Sequence, residues 1–165
     1  MDAVPAARAP SLEERFEVID LYARYAETIN DGRLDEWPAF FTEDCRYRVQ
    51  ARENAERDLP LATIRAESRF MLEDRVAAIR NAMLYVPHYW LHMISAVRIT
   101  AASDAAIEVR ANYCIIRTMQ DRLSELFQVG RYQDRLVRQG GRLLFQEKLC
   151  VYDSLLIPNS LVYPV

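Results

Sequence analysis

Between residues 106 and 153 apolar and polar positions alternate every second residue, the period of a strand with one face in a core. Ile107, Val109, Ala111, Tyr113 and Ile115 take turns with Glu108, Arg110 and Asn112. A second run, from about Ser124 to Val137, sets Phe127 and Val129 on one face and Leu126, Tyr132 and Leu136 on the other. A third, Arg142 to Asp153, sets Leu143, Phe145, Leu149 and Val151 against Leu144, Cys150 and Tyr152. Turn residues fall at Gln120-Asp121-Arg122 and Gln139-Gly140-Gly141, so the three runs predict an antiparallel meander.

Upstream the period changes to that of a helix. Ser11 and Glu14 form a capping box, and Leu12, Phe16, Ile19, Ala23, Ala26 and Ile29 follow at helical spacing, widened by Val18, Tyr22 and Tyr25. This predicts a core-facing helix that stops at Asn30-Asp31-Gly32. A short second helix is expected from a cap at Asp35, with Trp37, Phe40 and Phe41 as its apolar side and Thr42-Glu43-Asp44 as its end. Cys45, Tyr47 and Val49 then alternate with Arg46, Arg48 and Gln50 as a strand. Residues 51–62 are charged and carry Pro60, which predicts a surface loop. Leu72, Val76, Ile79 and Met83 predict a third helix from about Thr63 to Met83. Pro87 breaks it, and a further strand from about His92 to Thr100 would put Met93, Val97 and Ile99 on one face. These elements assemble as an α+β cone: a strongly curved antiparallel sheet covered by three N-terminal helices, one domain over residues 1–165. Residues 1–10 are expected to be flexible. Residues 155–165 form an extended apolar tail docked on its own sheet or on a partner chain, with the partner favoured and the domain expected to fold without the tail.

Composition narrows the function classes. The net charge of −3 argues against a nucleic-acid partner. No run of 18 apolar residues occurs, so no membrane partner is expected. Cys45, Cys114 and Cys150 are odd in number and lie in predicted strands, which suits buried thiols in a cytoplasmic protein. Among 21 basic residues only Lys148 is a lysine. Arg46, Arg48, Glu108, Arg110, Arg131 and Arg135 occupy polar strand faces that are either subunit contacts or ordinary solvated surface.

The order helix, Asp-Gly turn, Trp37-x-x-Phe40-Phe41-Thr42-Glu43-Asp44-Cys45-x-Tyr47 and meander resembles the nuclear transport factor/ketosteroid isomerase-like, cystatin-like cone superfamily. Further segments are similar to the small (beta) subunits of aromatic-ring-hydroxylating dioxygenases. They are Ser68-x-x-Met71-Leu72-x-Asp74-Arg75-Val76, Tyr89-x-x-His92, Glu125-x-Phe127-x-x-Gly130-x-Tyr132, and Asp153-Ser154 before a proline-interrupted tail. The subgroup it looks nearest to serves benzoate-, anthranilate-, salicylate- or terephthalate-type enzymes. The resemblance implies a non-catalytic chain that assembles and stabilises the oxygenase, three large (alpha) and three small subunits. It further implies that the Rieske [2Fe-2S] cluster and mononuclear Fe(II) reside in the large subunit, supplied with electrons by a reductase or ferredoxin. The chain's own residues agree in kind: a Rieske centre needs two cysteines and two histidines, whereas the only histidines, His88 and His92, have no cysteine nearby.

Other chemistries have candidates. His88 and His92 are spaced as in short metal motifs, but no acidic residue lies between them and packing histidines are the expectation. In catalytic cone proteins, isomerases or dehydratases, an acid/base couple sits in the pocket; Tyr25, Asp31 and His92, with Tyr22 and Tyr113, are the candidates here. That alternative, or a ligand-binding cone without chemistry, requires an open interior.

Overall fold

The structure is a computed structural model describing residues 7–81, 87–154 and 161–165. Expectations for Met83, residues 1–6 and residues 155–160 lie outside the described residues. Helix α1 spans Leu12–Asn30 and opens with the capping box: Ser11 Oγ accepts from Glu14 N at 3.1 Å, and Ser11 N donates to Glu14 at 3.0 Å. A 3-10 helix, Leu34–Phe40, precedes strand β1 at Phe41–Ala51. Then come α2 at Arg52–Glu56, β2 at Ile64–Ala66, α3 at Arg69–Asn81, β3 at His88–Ala102, β4 at Ile107–Met119, β5 at Glu125–Gln139 and β6 at Arg142–Tyr152.

The six strands form one open sheet in the order β2-β1-β6-β5-β4-β3. The meander is as expected, and four of the five pairings are antiparallel; β1 instead runs parallel to β6, from Phe41 beside Phe145 to Ala51 beside Tyr152. A parallel pair needs a crossover rather than a hairpin, and here everything from α2 to β5 supplies it.

Curvature comes from β-bulges, and these also overturn several predicted faces. An extra residue at Gln146 shifts the β5–β6 register, so Leu143 and Phe145 point inward before it and Lys148, Cys150 and Tyr152 after it. Leu149 and Val151 therefore belong to the outer face. In β5 the extra residue at Phe127 turns that ring into the core, parts it from Val129, and leaves Leu126 outside while Tyr132 and Leu136 stay in. In β3 a bulge between Ser95 and Arg98 puts Trp90, His92 and Ile94 inward on one side and Val97 and Ile99 inward on the other, so Met93 faces out. One inserted residue reverses the parity of everything beyond it.

Helix α1 lies against the concave face, but not through its whole predicted stripe. Val18, Leu21, Tyr22, Tyr25, Ala26 and Ile29 are buried, whereas Leu12, Phe16 and Ile19 are 70%, 63% and 50% exposed. The helix carries two apolar stripes about a third of a turn apart, and only one meets the sheet.

The region after β1 also departs from expectation. Residues 52–56 are helical, and Gln50, on a polar strand face, is buried because its Nε2 donates to the Leu59 carbonyl at 2.5 Å. Ile64 and Ala66 pair with β1, so α3 begins only after Ser68, whose hydroxyl accepts from Met71 N at 3.3 Å. The cysteines are all reduced thiols, Cys45 and Cys150 buried and Cys114 partly so. Burial pushes the Cys45 and Cys150 thiols up to about 11 and about 12.

Gly130 sits where two strands leave no room for a side chain. A Cβ there would lie 2.0 Å from the Val151 carbonyl oxygen and 2.8 Å from the Tyr113 ring. Gly130→Ala should destabilise the fold by about 3 kcal/mol, because the nearest obstacle is backbone. Urea unfolding would check this; a loss below about 1 kcal/mol would contradict the packing described.

Candidate functional site

The cone interior, where an acid/base pair would have to sit, is filled. Asp134 and Lys148 face inward from β5 and β6, and their side chains are fully buried, with Nζ 2.9 Å from Oδ2. Tyr22 of α1 donates its hydroxyl to the same carboxylate oxygen. The ammonium is enclosed by aromatic rings, 3.5 Å from the Tyr132 centroid, 4.6 Å from Tyr25 and Phe145, and 5.0 Å from Tyr22. Such a cage stabilises a cation without water. Burial drives the Asp134 carboxyl upward, opposed by Lys148 and the Tyr22 hydroxyl, and drives the Tyr22 hydroxyl well above its ordinary value.

The remaining space is occupied by the segment Leu161–Val165. Val165 is buried; its carbonyl accepts from the Tyr25 hydroxyl at 2.6 Å, and its N–H donates to the Tyr47 hydroxyl at 2.9 Å. Arg75 of α3 donates to the Leu161 and Val162 carbonyls at 3.1 and 2.9 Å. The expected partner docking of the tail is thus corrected for these five residues, which pack into their own cone because Tyr25, Tyr47 and Arg75 satisfy their backbone there.

The candidate acid/base residues fall in different surroundings. Tyr25 is locked against Val165, and burial raises its hydroxyl well above the ordinary value. Asp31 is the C-cap of α1; its carboxylate is half-exposed and lies 3.3 Å from Arg33. His92 is buried, and the Asn30 oxygen accepts both its backbone N–H and its ring Nδ1–H at 2.8 Å. Since that oxygen only accepts, the Nδ1 position carries the proton. Burial lowers the His92 pKa to about 4. Tyr113 donates to Gln128 at 2.9 Å and stacks on Tyr132 at 4.5 Å. His88 packs against Trp90 and Tyr163. Among the described residues no three His, Cys, Asp or Glu side chains converge as a metal site.

The outside of the cone is unusual for what it leaves uncovered. Tyr89, Leu91 and Met93 project outward from β3, next to the half-buried Cys114 and Ile116 of β4 and the exposed Leu126 of β5. This is one contiguous apolar surface at the sheet's edge. The exposed α1 stripe of Leu12, Phe16 and Ile19 is a second. Apolar surface of this continuity marks a contact site.

Comparison with known proteins gives concordant results. A family model described as ring hydroxylating beta subunit matches residues 24–159. The anthranilate 1,2-dioxygenase small subunit of Burkholderia cepacia is 35% identical over 150 residues, covering 91% of this chain and 93% of the relative. A beta subunit of the terephthalate 1,2-dioxygenase terminal oxygenase component from Comamonas sp. is 31% identical over 143 residues, 87% of this chain and 93% of the relative. A crystal structure described as the beta subunit of an aromatic-ring-hydroxylating dioxygenase from Novosphingobium aromaticivorans superposes with a TM-score of 0.83. It is 34% identical, with 92% of this chain and 96% of that chain covered.

Proposed function

Because the chain belongs to the ring hydroxylating beta subunit family, and so is the small component of a dioxygenase with a large-subunit partner, we propose that its own role is assembly rather than chemistry. The observation that carries this is a cone filled by its own side chains beneath two uncovered apolar surfaces. The complex is a hexamer of three large and three small chains in the cytoplasm. Small subunits contact both large subunits and one another, which two separate apolar surfaces suit. Obligate interfaces of this kind bury on the order of 2,000 to 5,000 Å².

The Rieske cluster and the mononuclear iron belong to the large subunit, which receives electrons from a reductase or ferredoxin. A single-ring aromatic carboxylate is the substrate class, on the strength of the anthranilate and terephthalate oxygenase relatives. The stand-alone isomerase or dehydratase reading needs convergent ionisable groups around an open pocket. Tyr25 and His92 are instead held in packed hydrogen bonds, and Asp31 lies on the surface.

Co-expression of this chain with its large subunit, followed by native mass measurement, tests the proposal. The wild type should give a hexamer-sized, iron-containing complex. Leu91→Asp combined with Met93→Asp should leave the isolated chain folded by circular dichroism, since both side chains already face solvent, yet abolish co-purification. A full-sized complex from this variant would show that the outer sheet face is not an assembly surface.

A further inference from the structure

Charge on the outer face of the sheet is unevenly balanced. Toward one end two arginines are neutralised within the chain, Arg135 at 2.5 Å from Glu108 and Arg46 at 3.5 Å from Glu147, while Arg48 beside them shares a cleft with both glutamates. Beside them Arg98, Arg110 and Arg131 line a cleft of about 470 Å³ with Ala96, Asn112 and Gln133, and no carboxylate lines it. Arg98 is directly opposite Arg110 in the β3–β4 register, and Arg131 stands opposite Asn112, one outward position further along β4. Like charges facing each other across a strand pair destabilise it. Among the described residues none of these three arginines takes part in an ion pair, although ion pairs occupy most arginines of the chain. One wall of the cleft is the β3 bulge, where Ala96 adopts a left-handed φ of 51°. A like-charged pair, unneutralised and set beside a strained backbone residue, is an arrangement that pays only when something anionic completes it.

The occupant can be narrowed. The cleft continues directly from the apolar surface: Met93 is followed on the outer face by Ser95 and the bulge, and Cys114 is preceded by Asn112. A protein surface seated on Leu91 and Met93 therefore reaches the arginines, and by excluding water makes carboxylate partners necessary. A second copy docked through the same face would oppose arginine to arginine. Nor does this chain offer a matching acidic cluster: among the described residues only Glu13, Asp44, Asp58 and Asp74 lie outside ion pairs, on α1, β1, a turn and α3. Taking the assembly role above as premise, we infer that Arg98, Arg110 and Arg131 form the receptor for an acidic segment of the large subunit. Guanidinium forks from three strands take carboxylates in bidentate pairs, which fixes where along the sheet the large subunit seats.

The test measures binding of the isolated chain to its purified large subunit across a salt series, for the wild type, Arg98→Gln/Arg110→Gln and Arg98→Glu/Arg110→Glu. The neutral variant should be at least as stable as the wild type, because it removes the like-charge pair. Its affinity should nevertheless fall about 30-fold or more, with a flatter salt dependence, and the charge-reversed variant should bind more weakly still. Unchanged affinity in both variants, with the wild-type complex intact, overturns the receptor and leaves the assembly role standing. Loss of self-association with large-subunit binding unchanged overturns the occupant. Failure of the wild-type pair to bind removes the assembly role and the receptor together.

Discussion

Deleting residues 161–165 should unfold most of the population or leave it without fixed tertiary packing, rather than yield a stable domain that merely assembles poorly. Val162 and Val165 are buried among the core side chains, and each buried valine contributes about 1.5–3 kcal/mol. The deletion also strips partners from the Tyr25 and Tyr47 hydroxyls and the Arg75 guanidinium, and an unsatisfied buried polar group costs about 1–3 kcal/mol. Together these exceed about 4 kcal/mol, a large part of the stability a domain of this size commands. Near-ultraviolet circular dichroism and guanidinium unfolding of the truncated chain would check this. Tyr25→Phe is a milder control that keeps the cone packed and should cost about 1 kcal/mol. A truncated chain with a wild-type unfolding midpoint would show that the segment does not hold the cone together.

The second large effect concerns the caged ion pair. Lys148→Met should destabilise the protein by about 3–5 kcal/mol, because it leaves the Asp134 carboxylate buried without a counter-charge. Lys148→Met with Asp134→Leu should recover most of that loss, since an apolar pair of similar volume avoids the desolvation of both ions. The deficit of the single variant should depend on pH. Without Lys148 burial still raises the folded-state pKa of Asp134, so the folded state holds its proton to higher pH than the unfolded chain does. Stability is then lost as pH rises through that window, and the deficit should be larger at pH 8 than at pH 5. Denaturant unfolding of the two variants at both pH values decides it; additive losses in the double variant would mean that the two groups are not coupled.

What could be read from the chain alone was the period of each element. The capping box at Ser11, the Asp31-Gly32 stop, the alternation through Ile107 to Ile115 and the meander turns are local signals, and all appear in the fold. Register was not legible, because the extra residues at Gln146, Phe127 and Ala96 have no compositional signature, yet each exchanges inside for outside beyond it. That is why Lys148, conspicuous as the lone lysine, could not be matched to Asp134 from sequence. It is also why spacing alone groups Met93 with Val97 and Ile99, from which the β3 bulge parts it. Helix α1 shows a different limit: two apolar stripes share the same spacing, and periodicity does not say which one a sheet covers. The arginine cleft combines both limits, since it exists only once the β3 bulge has set the register of Arg98 against Arg110.

The parallel seam between β1 and β6 also sets the order in which the molecule can be made. Phe41 pairs with Phe145 and Ala51 with Tyr152, so the inner edge of β1 waits for residues about a hundred positions downstream. At a synthesis rate of about 5–20 residues per second that interval is roughly 5–20 s. Throughout it β1 has only the short β2 as a partner, whereas β3, β4 and β5 can pair as consecutive hairpins as soon as they emerge and offer α1 the strand it packs on most, β3. The sheet is thus completed from its far end, and its last seam, β1 on β6, closes only after residue 152 has emerged.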